Sequence, residues 1–187
     1  ADGANGLVPG IALLSFYLFS LLDNSPVWSY LVIGFGIFLI CNLILGRLFL
    51  GDAGAYGAAC LLSFGGLLLV HKGQASPWFL AVTLAYPCLE MLVSMGRRAL
   101  LGNSMFLPDN HHLHNRLHMF FRRYLRGSGW PSAATGISIT LATSGLSLAL
   151  YYFTWLTPLD SRWLIIFCAQ CLLYGLVYFQ LNRVVKS

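Results

Sequence analysis

Two stretches of this chain put ionisable side chains into surroundings that are otherwise apolar. In "LFLGDAGAYG", Leu48–Gly57, Asp52 sits among Gly51, Gly54 and Gly57. A carboxylate on such a turn suits a hard cation like Mg2+, which takes one or two carboxylates and completes its shell with phosphates and water. The plainer alternative is a helix cap, because Asp at a helix start accepts backbone amide hydrogen bonds. The other stretch, "FLPDNHHLHNRLHMFFRR", Phe106–Arg123, holds four of the five histidines and three of the eleven Lys and Arg residues. Histidine exchanges protons and hydrogen bonds near neutral pH, chemistry that phosphate and sugar oxygens use.

A third stretch, "ADGANGL", repeats the glycine-flanked theme with Asp2 and Asn5 three residues apart, on one face if helical. In the histidine stretch, Pro108 and Asp109 are expected to start a short helix. His111, Asn115, His118 and Arg122 then form a polar stripe along it. Leu117, Met119, Phe120, Phe121, Tyr124 and Leu125 supply the apolar residues of an amphipathic helix lying on a bilayer. His114 and His118 make an HxxxH, a spacing that zinc can use. No Glu follows the first His, so the HExxH protease pattern fails. The CxxC of Cys168 and Cys171 has no second pair, and Cys41, Cys60, Cys88, Cys168 and Cys171 read as small apolar core residues.

The elements that must position these residues are transmembrane helices. The chain is 58% hydrophobic and 9% charged, with a mean hydropathy of +0.73, far from the balance of a soluble domain. No basic n-region precedes the first apolar run, so a secretory signal is not indicated. Apolar runs predict about six spans: Leu7–Leu22, Trp28–Leu45, Ala55–Val70, Pro77–Met95, Ser132–Leu156 and Trp163–Leu181. A span needs roughly 17–25 residues. Six such helices with almost no polar face exceed what 187 residues can bury in a globule. The expected fold is therefore all-α, a polytopic bundle forming one integral-membrane domain over residues 1–187. A long loop, residues 96–130, carries the short amphipathic helix.

An even number of spans puts both termini on one side. That side holds Arg47, Arg97, Arg98, Arg116, Arg122, Arg123, Arg126, Arg183 and Lys186, against Lys72 and Arg162 on the other. The positive-inside bias makes the richer side cytoplasmic. No soluble basic domain remains to suggest nucleic acid. Asp23 and Asp160 fall in short turns on the far side and read as solvated caps. Glu90 lies within the fourth expected span, where a carboxylate needs a partner, and Arg97 and Arg98 are near enough along the helix to provide one.

"DGANGL" (Asp2–Leu7), "LFLGDAGAYG" (Leu48–Gly57) and "PDNHHLHNRL" (Pro108–Leu117) resemble, in order and in side, the motifs of the polyprenyl-phosphate sugar-1-phosphate transferases. The resemblance covers essentially the whole chain and favours the N-acetylhexosamine branch. It implies transfer of a sugar-1-phosphate from a UDP-sugar to undecaprenyl phosphate, with release of UMP, in cell-envelope polysaccharide initiation. It assigns Asp52 to Mg2+, with Mn2+ as an alternative, and catalytic roles to Asp2, His112 and His114. Asn5, Arg97, Arg98, His111, Asn115 and Arg116 are expected to bind substrate. Asn5 stands where the family has a second Asp, and Asn115 where it has a third His.

Members of that family usually have ten or eleven spans, so the chain is expected to be the C-terminal portion of such an enzyme and inactive alone. The implied setting is multi-pass in the bacterial inner membrane, with both termini and the site cytoplasmic. The bilayer and a homodimer are the further partners considered. A transporter coupled through Glu90 and a non-catalytic membrane subunit are the rival readings, with a zinc enzyme last.

Overall fold

The computed structural model describes residues 4–46, 48–100, 112–127, 129–153 and 155–186, with residues 184–186 described by backbone alone. Its helices are α1 (Leu7–Leu22), α2 (Pro26–Leu45), α3 (Gly51–His71), α4 (Pro77–Thr83), α5 (Ala85–Leu100), α6 (Leu113–Tyr124), α7 (Trp130–Thr140), α8 (Leu146–Tyr152) and α9 (Trp163–Lys186), with a π-helical segment, Leu141–Gly145, between α7 and α8. No strand occurs among the described residues. Prolines open α2, α4 and α7, where a missing amide hydrogen costs nothing. Gly46, at φ 60°, closes α2 in the left-handed conformation. Ser76 caps α4 by accepting from the Phe79 amide at 3.1 Å.

Among the described residues, four helices are long and apolar enough to cross a membrane: α2, α3, the joined stretch Trp130–Tyr152, and α9. The α4–α5 pair is a fifth candidate, and α1, at 16 residues, is a shorter apolar helix. Sixteen residues rise about 24 Å, less than a hydrocarbon core of about 30 Å. The all-helical membrane bundle is as expected, with four or five spans where the sequence suggested six.

The expected straight span Pro77–Met95 is instead bent by 80° between α4 and α5. Pro87 accounts for the break. A proline ring clashes with the carbonyl four residues earlier, here Thr83. That carbonyl accepts the Ser144 hydroxyl at 2.8 Å instead. Ser144 belongs to the π-helical segment, which also takes the Gln170 amide on the Ala142 carbonyl at 3.1 Å. The bend in one span is thus seated on the bulge in another.

Two apolar clusters hold the bundle. One gathers Phe16, Phe19, Trp28, Phe79 and Trp163, with Phe19 and Trp28 edge-on at 5.6 Å. The second gathers Leu7, Ile11, Tyr86, Leu113, Ile139, Tyr174 and Leu181. Leu113 brings α6 into this second cluster, so α6 packs on the bundle and does not simply lie along lipid. Elsewhere the apolar surface faces outward; Ile33, Ile37, Ile40 and Ile44 of α2 are all exposed.

The expected caps at the far end are paired. Asp23 meets Lys72 at 2.9 Å and the Trp28 indole at 2.9 Å, and Asp160 meets Arg162 at 2.7 Å. Hydrogen bonds from Lys72 and Trp28 hold the Asp23 carboxyl below its usual range. All five cysteines are free, but they depart from the expected core placement: Cys60, Cys88 and Cys168 are exposed and Cys41 and Cys171 partly so. A thiol is apolar enough to face lipid, so hydropathy alone did not separate the two places.

Candidate functional site

The segment entering α1 is fixed from three sides. Gly6, at φ 81°, adopts a backbone conformation that glycine tolerates. Its amide donates to Asn42 Oδ1 at 2.6 Å, and Asn42 Nδ2 donates to the Leu48 carbonyl at 2.5 Å. Asn42 is 2% exposed. It links the start of α1 to the stretch that leads into α3. The Asn5 amide donates to Ser132 Oγ at 2.9 Å, which ties the same segment to α7. Gly136, one turn further along α7, touches this backbone: a Cβ there would collide with the Asn5 carbonyl and lie 2.7 Å from the Leu7 amide nitrogen.

Asp52 lies exposed in the first turn of α3, which starts at Gly51 and not near Ala55 as expected. A cleft of about 1100 Å3 collects Asn5, Gly46, Phe49, His118, Trp130 and Ser132. Asp52 follows Phe49 by three residues. Segments far apart in sequence therefore meet at one end of the bundle, the end opposite the Asp23–Lys72 pair.

The histidine helix α6 has an unusual start. His112 is its N-cap but makes no capping bond with its own side chain. The carboxylate of Glu90, from α5, takes that place. It accepts the Leu113 amide at 3.1 and 3.3 Å, His112 Nδ1 at 2.9 Å and the Tyr174 hydroxyl at 3.0 Å. A carboxylate at a helix N-terminus satisfies orphan amides and matches the helix dipole. The partners that answer Glu90 are thus residues of α6 and α9, which the sequence did not name for it.

His114 is 4% exposed, and its Nδ1 meets the Tyr86 hydroxyl at 2.8 Å. Burial pushes its pKa down to about 4, so the ring is neutral at physiological pH. The rings of His112 and His114 stack at 5.3 Å with 9° between their planes. His112 keeps about a quarter of its side chain exposed.

Arg116 is buried against α9, with its guanidinium 4.6 Å above the Tyr178 ring and bonded to Asn182 Oδ1 and the Tyr178 hydroxyl. Arg97 also donates to the Tyr178 hydroxyl, so two cations converge on one tyrosine. Arg98 donates to Ser94 Oγ at 3.2 Å, and Asn115 is half-buried on α6. Asp2 and His111 lie outside the described residues. Beneath α6 is an almost wholly apolar recess of about 200 Å3, bounded by Tyr86, Leu89, Leu113, Leu117, Ile139 and Tyr174.

Two residues of this end were not among the selected site residues. His118 lines the cleft with Asn5; its place on the Asn115–His118–Arg122 stripe was the available signal. Asn42 carried none, being one polar residue in an apolar helix. Among the described residues no three His, Cys, Asp or Glu side chains group as metal ligands, so the HxxxH zinc pattern finds no third ligand there. A lone exposed carboxylate does fit Mg2+, which draws the rest of its shell from phosphates and water.

No protein-family model matches the chain, and no solved structure matches it. Curated relatives do. It is 30% identical over 168 positions, 79% of its length, to the undecaprenyl-phosphate alpha-N-acetylglucosaminyl 1-phosphate transferase of Yersinia pestis. The proteins of the same name from Escherichia coli O157:H7 and Thermotoga maritima are each 29% identical, over 93% and 83% of this chain. The matches span 42%, 49% and 48% of those relatives, so the chain corresponds to about half their length.

Proposed function

This chain belongs to the polyprenyl-phosphate sugar-1-phosphate transferase superfamily, and on that footing we propose that it carries part of the site that transfers N-acetylhexosamine-1-phosphate from a UDP-sugar to undecaprenyl phosphate. In that reaction a lipid phosphate oxygen attacks the sugar-bearing phosphorus of the pyrophosphate. A new P–O bond forms, the bond to the uridine-bearing phosphate breaks, and UMP leaves. The lipid phosphate is already anionic at neutral pH, so the chemistry asks for charge neutralisation and alignment more than for a base.

The observation that carries this reading is that Asn5 and Phe49, from the first two motifs, share one cleft with His118, the residue that follows the third. Asp52 would hold Mg2+, which supplies neutralisation of phosphate charge when bound. His112, with part of its ring exposed, would hydrogen-bond a sugar hydroxyl, and His118, on the cleft, would hydrogen-bond phosphate or sugar oxygens. His114, buried and neutral, would instead support His112 as a stacked wall. The apolar recess beneath α6 suits the first isoprene units of a polyprenyl tail. The nine-to-two distribution of Lys and Arg supports a cytoplasmic orientation for this end, in a bacterial inner membrane.

The transporter alternative asks for polar residues strung across several spans at mid-depth, with Glu90 as the coupling group. Glu90 is instead engaged by α6 and α9; the buried hydroxyls of Thr83, Thr135, Thr143 and Ser144 are bonded to helix carbonyls, and those of Ser15 and Ser147 meet no hydrogen-bond partner among the described residues. A membrane assay of radiolabel transfer to undecaprenyl phosphate, with a panel of UDP-sugars and the whole protein, tests the proposal. Labelled lipid and stoichiometric UMP from a UDP-N-acetylhexosamine are expected. No labelled lipid from any donor, in membranes containing the folded protein, would end it.

A further inference from the structure

We propose that Glu90 is the positioning residue for His112, a carboxylate carried on α5 that fixes the orientation and tautomer of the imidazole at the start of α6. The inference rests on the transferase reading, in which His112 meets substrate, and adds to it the group that sets how His112 is presented.

Glu90 is 6% exposed. A carboxylate buried in an apolar helix bundle is costly unless donors surround it. Its donors come from two other elements: His112 Nδ1 and the Leu113 amide from α6, and the Tyr174 hydroxyl from α9. One side chain therefore decides both where α6 begins and which way its first imidazole faces. An ionised carboxylate only accepts hydrogen bonds. His112 Nδ1 must then carry the hydrogen, which leaves Nε2 to accept a hydrogen bond from a substrate hydroxyl.

The neighbours reinforce this. Tyr174 holds the second carboxylate oxygen, so the carboxylate cannot swing away from α6 without stranding a buried hydroxyl. On the other face of the His112 ring lies His114, itself held by Tyr86. The imidazole is thus fixed by an in-plane hydrogen bond and a stacked wall. The arrangement follows the general logic of a carboxylate that orients a histidine through one ring nitrogen while the other does chemistry.

The test uses the whole protein in detergent or nanodiscs, with UDP-N-acetylglucosamine and undecaprenyl phosphate as substrates. Glu90→Gln should lower turnover by about 10- to 100-fold, with the UDP-sugar KM and the melting midpoint little changed. The combined Glu90→Gln/His112→Asn protein should be no slower than His112→Asn alone, because Glu90 acts through His112. Wild-type turnover in Glu90→Gln, or a loss that multiplies that of His112→Asn, would overturn the proposal. If Glu90→Gln does not fold, Tyr174→Phe carries the same cycle, with a smaller loss that vanishes in the His112→Asn background. Nitrogen-15 NMR of His112 gives a readout independent of turnover: a protonated Nδ1 is expected, and a bare Nδ1 with an Nε2–H overturns the assignment. Full activity in His112→Asn would instead remove His112 from the transfer reaction, while the NMR measurement still decided whether Glu90 holds it.

Discussion

The Asn42 side-chain oxygen accepts the Gly6 amide at 2.6 Å while its nitrogen reaches the Leu48 carbonyl. One buried amide in the last turns of α2 thereby sets the spacing between the entry to α1 and the entry to α3. Replacing Asn42 with Leu removes the donor and the acceptor together and leaves two backbone groups unmatched. A loss of about 1–3 kcal/mol is expected, read from chemical unfolding in mixed micelles. Asn42→Asp keeps the acceptor for Gly6 and should lose less. Equal stability of Asn42→Leu and wild type would show that the bridge is not a structural tie.

Gly136 gives a sharper steric test. A methyl group there has no room against the Asn5 carbonyl and the Leu7 amide, both backbone and unable to rotate away. Gly136→Ala should cost about 1–3 kcal/mol or more and displace Asn5 from Ser132. Gly175→Ala, in α9 where nothing lies within 4 Å of the added carbon, is the control and should stay within about 0.5 kcal/mol of wild type. A Gly136→Ala protein as stable as the control would mean the two segments sit further apart.

His114 makes stability depend on pH in a defined window. The unfolded imidazole binds its proton near 6.5, whereas burial delays binding in the fold to about 4. Between these values the unfolded chain binds more protons, so stability rises with pH. The contribution is complete above 6.5 and is lost as pH falls toward 4, by at most about 3 kcal/mol. Melting midpoints of wild type and His114→Gln, compared from pH 7.5 to 4, should diverge least at the acid end. Parallel curves would mean that His114 protonates in the fold as it does in water.

Asp52 is exposed, so its removal should be felt in activity and not in folding. Asp52→Asn in the whole protein is expected to lower Mg2+-dependent transfer more than about 100-fold, with an unchanged melting midpoint. Wild-type turnover in that variant would defeat the metal assignment.

Much of this molecule was legible in local sequence. Hydropathy marked the apolar helical stretches to within a few residues, and the polar stripe with its apolar companions marked α6. Where the reading slipped, the cause was non-local. Pro87 was visible, but an apolar run of the right length outweighed it, and only the Ser144 hydroxyl waiting on a neighbouring span makes a sharp break at Thr83 tolerable. The cysteines were apolar by type, and which apolar side they face was decided by packing.

The amino-acid order by itself determined a membrane-embedded helical chain, the motif segments it carries and the end of the bundle at which they lie, because hydropathy and span alternation are properties of consecutive residues. Tertiary structure alone decided what those residues touch. Glu90 looked to Arg97 and Arg98 because they are close along one helix, yet it is met by His112 and Tyr174, 22 and 84 residues away. A buried charge is satisfied by whichever donors packing brings within 3 Å, and separation along the chain carries no record of that distance.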